Sequence, residues 1–389
     1  MSAIVIGAGI VGAACAEALT RAGVDVVVVD RQPVGSGTTS RGEGNILVSD
    51  KGPGPELTLA QLSRRLWLDL GDALGRETIE LEEKGGLVVA TSTAGAASLA
   101  AFAREQREAG LTALEVDDPR VLEPHLAPGI TTAVHYPEDL QVQPVLAAAR
   151  LLQVARERGA TFLPGTEVAA AVTDARGELS GIRTSRGDVL EADAVVNAAG
   201  TWGGVVSERL GAPVPVLPRR GFVLVTEPLP PLVRHKVYSA DYVDNVGSSE
   251  AALETSCVVE GTRGGTVLIG ASRERVGFDT SLRVDVVATL ARKAIAIFPF
   301  LATINLMRVY RGFRPYCPDH LPVIGPDPRV PGVLHACGHE GAGIGLAPAT
   351  GRLIADYVTG ARGLDTHDDF AAMLPGRFVP ASTAQEQPR

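Results

Sequence analysis

Three glycines and one acid set the first chemical constraint. An apolar run, Ala3 to Ile6, leads into Gly7-Ala8-Gly9-Ile10-Val11-Gly12. A helix-forming stretch to Arg21 follows, then a stop at Gly23 and a second apolar run, Val24 to Val29, that ends in Asp30. Strand, G-x-G-x-x-G turn, helix, strand and acid in this order form a dinucleotide-binding unit. Gly7 permits the tight turn, Gly9 lets backbone N–H groups approach a pyrophosphate, and Gly12 lets the helix pack on the strands. Ile10 and Val11 open a helix whose N-terminus offers partial positive charge to phosphate. Asp30 stands where a carboxylate accepts from a ribose 2′-hydroxyl and repels a 2′-phosphate.

A second glycine concentration lies near the other end. Val333 to Ala336 read as a strand, Cys337-Gly338-His339-Glu340-Gly341-Ala342-Gly343-Ile344-Gly345 as a turn, and Leu346 to Val358 as a helix. One nucleotide needs only one such element. A second helix start aimed at the same ligand points to a cofactor with another electron-rich end, which a reduced flavin has and NAD does not. Between them, the loop Arg31 to Asn45 is crowded with Gly, Ser and Thr, which suits a loop wrapped along a polar ligand. Ala194 to Gly200 is an apolar strand ending in small residues, as expected of backbone lying against a ligand.

The elements that must position these turns follow from length and periodicity. At 389 residues the chain exceeds one ordinary core, so two lobes are expected. Helical spacing is read over 56–75, 93–110, 144–158 and 284–297, and a strand over 85–90. Residues 219–304 are strand-rich and are read as an antiparallel sheet in a second lobe. A net charge of −9 without a basic stripe argues against nucleic acid as partner. No apolar run reaches the ~18 residues of a membrane span. The first strand begins too early for a signal peptide, and four separated cysteines show neither C-x-x-C nor metal-ligand spacing, so a cytoplasmic protein with reduced thiols and no metal is expected.

Taken together these motifs resemble the amino-acid and amine oxidase family typified by D-amino acid oxidase, glycine oxidase and sarcosine oxidase. The resemblance rests on Ile4 to Gly12, Thr38-Thr39-Ser40, Asn197-Ala198-Ala199-Gly200-Thr201-Trp202, Pro218 to Gly221 and Gly312-Phe313-Arg314-Pro315. It continues through Pro322 to Gly325, Gly338-His339, Ala347 to Gly351, Phe370 and Arg377-Phe378. It implies an α/β fold with a Rossmann-type FAD-binding domain in discontinuous segments (1–80, 140–218 and 305–378). The substrate domain (81–139 and 219–304) is α+β with an antiparallel sheet, and 379–389 is a disordered tail.

The implied roles run along the cofactor. Asp30 and Arg31 hold the adenosine ribose region, Val168 gives a backbone contact to adenine, and Ile10 and Val11 hold the pyrophosphate. Thr38, Thr39, Ser40, Glu43, Gly44 and Asn45 run beside the ribityl chain and isoalloxazine, with Ala199, Gly200 and Trp202 on the same ligand. Gly338, His339, Glu340, Gly341, Ala342, Gly343, Ile344 and Gly345 turn backbone amides toward the flavin. His339 and Glu340 are tempting as an acid/base pair, but the turn is expected to use their backbone. FAD is expected to be non-covalent, since Cys317 is out of register with the attachment cysteine of sarcosine oxidases. Glycine oxidase resembles the chain most clearly around Gly312 to Pro315, where its arginine holds the substrate carboxylate, so Arg314 inherits that role. A guanidinium fork matches a carboxylate, and Arg311 is the competing candidate. The second arginine of glycine oxidase is replaced by Gly341. Tyr238, Tyr242 and Tyr316 are candidate gates, with ordinary packing as the alternative for each.

The implied reaction is oxidation of the C–N bond of an amino acid or N-substituted amino acid (a D-amino acid, glycine or sarcosine, a proline-type compound or an opine) by hydride transfer to the flavin, giving an imine that hydrolyses. Glu43 to Val48 with Asp50 to Leu57 look closer to the B-type subunits of opine oxidases, hydrogen cyanide synthase and hydroxyproline dehydrogenases. That resemblance implies a homo- or hetero-oligomer, with oxygen or an electron-carrier partner as acceptor.

Overall fold

The computed structural model describes residues 1–241, 252–361 and 367–379. Tyr242 and all but the first residue of the expected tail lie outside them.

The opening apolar runs become the middle of a six-stranded sheet. Its spatial order is Val323–Pro326, Val333–Cys337, Ala194–Asn197, Ser2–Ile6, Asp25–Asp30, Thr161–Pro164, parallel except for the first pair. Alternate side chains serve opposite faces, as the two-residue strand period requires. Ala3 and Val5 join a core with the helices Ile10–Arg21, Pro144–Glu157 and Gly343–Thr359, whereas Ile4 and Ile6 pack under a three-stranded antiparallel sheet, Val168–Thr173, Leu179–Thr184 and Val189–Glu191. The last of those helices begins three residues before the expected start, following a short 3-10 turn at Glu340–Ala342. Glycines at Gly343 and Gly345 do not delay it, because first-turn N–H groups have no intrahelical partner to lose.

A second sheet of eight strands runs Leu306–Tyr316, Leu217–Thr226, Val267–Arg273, Glu254–Gly261, Lys236–Ser239, Gly86–Ala90, Thr132–Tyr136, Leu114–Val116. The helix Val284–Ile297 buries Val286, Leu290, Ala294 and Ile297, one side of its turn, against Leu87, Phe222, Val259 and Ile269. The sheet is not wholly antiparallel as expected, because Lys236–Ser239 runs parallel to Gly86–Ala90. These two strands are far apart in sequence, so no hairpin dictates their direction.

The expected boundary at 305 also shifts. Leu306–Tyr316 pairs antiparallel with Leu217–Thr226 along its whole length, from Tyr316 opposite Leu217 to Leu306 opposite Thr226. It therefore belongs to the second sheet, and it carries Gly312 to Pro315 up to the half built on the six-stranded sheet.

Candidate active site

One cavity runs between the two halves, from the first glycine turn to the second. At its first end Gly7 adopts φ +112°, and a Cβ there would overlap the Ala198 carbonyl; a Cβ on Gly12 would overlap the carbonyl of Gly7. The turn thus needs glycine at both positions. Gly9 starts the helix without a side-chain cap of its own, and the Ile10 N–H donates to Thr39 Oγ1 across 3.0 Å. Asp30 accepts from the Ala8 and Gln32 backbone N–H groups, each at 2.8 Å, so the same carboxylate fixes the turn and lines the cavity. The Arg31 guanidinium lies 4.2 Å from the Trp202 ring centroid. Val168 lines the wall nearby, its carbonyl accepting from Arg209 at 2.7 Å.

At the other end the helix Gly343–Thr359 also begins without a side-chain cap. Trp67 Nε1 donates to the carbonyls of Ile344 and Gly345 at 3.0 and 3.2 Å and so holds the turn. His339 and Glu340 do not pair with each other. The buried His339 ring meets Thr350 Oγ1 at 3.0 Å, and burial pushes its imidazole down to about 4, which keeps it neutral. Glu340 accepts from the buried Arg219 at 2.5 Å and lies 3.4 Å from His320 Nδ1. Burial alone would raise its carboxyl, but His320 and Arg219 hold it below the usual range.

Between these ends the loop and the second sheet are tied together. Thr38 Oγ1 and Thr201 Oγ1 both donate to the Phe313 carbonyl, at 2.8 and 2.6 Å. Phe278 stacks on Trp202 with ring centroids 5.5 Å apart and meets Phe313 edge-on at 5.4 Å. Arg314 Nη1 donates to the Ser272 carbonyl at 2.8 Å. Gly221 makes its slot, since a Cβ there would overlap Nη1, and Gly341 borders it, where a Cβ would stand in ordinary contact 3.7 Å from Nε.

Most of the expected residues line this cavity. Gly7, Gly9, Ile10, Val11, Asp30 and Arg31 do so at one end, and Thr38, Thr39, Glu43, Asn45, Val168, Ala199, Gly200 and Trp202 along its length. His339, Glu340, Gly341, Gly343, Ile344 and Arg314 do so at the other. Seven do not. Gly12 packs under Gly7, Ser40 Oγ turns back to the Ser36 and Gly37 carbonyls, and Gly44 donates to Glu260 while pressed on Val142. Gly338 and Ala342 shape the turn, and Gly345 faces the Asn45–Ile46 backbone. Arg311, an odd number of residues from Arg314 on one strand, points to the other face. Tyr238 and Tyr316 are buried and do not line the cavity; the first bonds Ser49 and the second packs beside the Arg219 and Arg275 guanidinium groups. No cysteine lines it among the described residues; Cys317 and Cys337 share a separate apolar cluster.

Sequence reasoning missed Thr201, Phe313, Arg219, Lys236 and Glu260 as parts of the site. Thr201 and Phe313 lay inside motifs already singled out. Arg219 lay in the Pro218 to Gly221 motif as well, while Lys236 and Glu260 have no local signal, since only the sheet brings them beside the 36–45 loop.

Known proteins agree with this architecture. The chain is 34% identical to hydrogen cyanide synthase subunit HcnC of Pseudomonas aeruginosa over 272 residues, 70% of this chain and 61% of that protein, so it spans about three-fifths of that relative's length. It is 28% identical to the glycine oxidase of Geobacillus kaustophilus over 362 residues, covering 91% of this chain and 92% of that enzyme. The solved structure of glycine oxidase from Geobacillus kaustophilus superposes with a TM-score of 0.85 at 28% identity, over 97% of this chain and 98% of the other. Residues 2–357 match the family described as DAO, FAD dependent oxidoreductase. With two uncapped helix starts facing one cavity, the chain belongs to that family of FAD-dependent oxidoreductases.

Proposed function

We propose that this protein oxidises the C–N bond of an amino acid or N-substituted amino acid, with Arg314 holding the substrate carboxylate. The residues present fit FAD. The tight turn at Gly7 and Gly12, which a Cβ at either would break by meeting a backbone carbonyl, sets a helix start at the cavity, and the two helix starts offer partial positive charge at both ends of the cavity. In this reading Gly9, Ile10 and Val11 hold the pyrophosphate, Asp30 and Arg31 the adenosine ribose, and Thr38, Thr39, Glu43 and Asn45 the ribityl and ring portion. Val168 lies at adenine, and Ala199, Gly200 and Trp202 flank the ligand. His339, Glu340, Gly341, Gly343 and Ile344 face the flavin. Bound FAD supplies a hydride acceptor. The protein's own part is orientation: a planar fork fixes the carboxylate, and Trp202 and Phe313 line the cavity wall.

The observation that carries this reading is the placement of Arg314 between two glycines on the cavity wall, steered by the Ser272 carbonyl. Anaerobic flavin bleaching tests it across D-amino acids, glycine, sarcosine, prolines and opines. Arg314→Ala should weaken substrate binding by about 10²- to 10³-fold, the cost of losing a charged bidentate partner, with FAD content intact. Loss of FAD with unchanged substrate affinity would refute the assignment.

A second reading is an FAD-holding subunit that passes electrons to a partner protein, supported by the similarity to a protein named as a synthase subunit. Here the purified chain reduces an artificial acceptor but consumes little oxygen. Four buried unpaired cysteines suit a cytoplasmic setting, and no helix among the described residues is long and apolar enough to cross a membrane.

A further inference from the structure

Glu43 is a buried carboxyl on the cavity wall, 6% exposed, and its Oε1 has no hydrogen-bond partner. That oxygen rests on Gly270, where a Cβ would overlap it. Gly270 precedes by two residues Ser272, whose carbonyl steers Arg314, so one strand sets the carboxyl and the guanidinium on the same wall. The surrounding charges come from four strands: Lys236, Glu260, Arg273 and Arg314. Lys236 is engaged by Glu260 and by Asn45 Oδ1, and Tyr310 of the Arg314 strand donates to the Gly42 carbonyl at 3.1 Å. An unpaired buried carboxylate oxygen costs free energy, and a proton on the carboxyl lowers that cost.

An amino acid held by its carboxylate enters with its nitrogen protonated. Its α-hydrogen leaves as hydride only once that nitrogen has a free electron pair. We propose that Glu43 receives this proton: an N–H bond of the substrate ammonium breaks, an O–H bond forms on the Glu43 carboxylate, and the electron pair stays on nitrogen. Arg314 and Glu43 then read the two charged ends of one substrate. The inference rests on Arg314 as the carboxylate anchor. Burial pushes the Glu43 carboxyl up to about 7, with Lys236 pulling it down and Glu260 raising it. A proton acceptor in that range works near neutral pH.

The test is the pH dependence of anaerobic flavin reduction in the holoenzyme, using an amino acid that bleaches the wild type. The wild-type rate should rise through an inflection near 7. Glu43→Gln should lose that inflection, fall by about 10²-fold at neutral pH, and approach the wild-type rate at alkaline pH, where the free amine is present in solution. Glu43→Asp should keep the inflection at a reduced rate, and it decides the matter if the Gln variant does not fold. An unchanged profile in Glu43→Gln, an inflection absent from Glu43→Asp, or loss of FAD from both variants overturns the proposal. Failure of every amino acid to bleach FAD-loaded wild type instead sinks the parent reading with it.

Discussion

Arg314 owes its position to what its neighbours lack. Gly221, opposite Gly312 on the paired strand, leaves space that the guanidinium fills, and Gly341 borders it on the far side. Adding one methyl at Gly221 forces Nη1 away or pushes on the Ser272 carbonyl, which a Cβ would approach to 2.5 Å. Gly221→Ala should therefore raise the dissociation constant for an amino-acid substrate by roughly tenfold, about 1.4 kcal/mol, while FAD absorbance per protein stays constant. Equal substrate affinity in variant and wild type would show that the fork does not need this slot. The motif Gly312 to Pro315 was legible in sequence because a cation between Gly and Pro is a local pattern. Its slot was not, because Gly221 and Gly341 lie on other elements, and the motifs that contain them do not say that they meet Arg314.

At the scale of elements, the two glycine turns are joined behind the cavity. The helices Ile10–Arg21 and Gly343–Thr359 pack together so closely that a Cβ on Gly351 would stand 2.5 Å from the Ala14 carbonyl. Gly351→Ala should push the helices apart and destabilise the fold by about 1–3 kcal/mol, the usual cost of overpacking, seen as a lower Tm. FAD affinity should fall in parallel, since both helix starts shift. A Tm equal to wild type would mean that the crossing relaxes freely. The first turn, its helix and its acid could be read from thirty adjacent residues, and the structure builds them at Ser2–Ile6, Ile10–Arg21 and Asp25–Asp30. The long strand Leu306–Tyr316 could not be assigned in that way, because its partner Leu217–Thr226 lies some eighty residues earlier. Periodicity announces a strand but not its neighbour.

Across the whole molecule, three chain segments converge on one backbone atom. Thr38 belongs to the loop after the first nucleotide-binding unit, Thr201 follows the central strand of the same half, and both donate to the carbonyl of Phe313 in the other half. The residue bonded to that carbonyl carbon is Arg314. If Arg314 anchors the substrate as proposed, ordering the 36–45 loop around FAD also orders that anchor, and the two ligands share a coupling free energy. Such coupling is reciprocal: whatever FAD does for a carboxylate, a carboxylate does for FAD. A simple aromatic acid lacking an amine, such as benzoate, should slow release of FAD from the wild type and leave its release from Arg314→Ala unchanged. Equal slowing in both proteins would place the effect elsewhere. A cell short of flavin would then lose cofactor first from the molecules without substrate, so the working fraction of this protein retains its flavin longest.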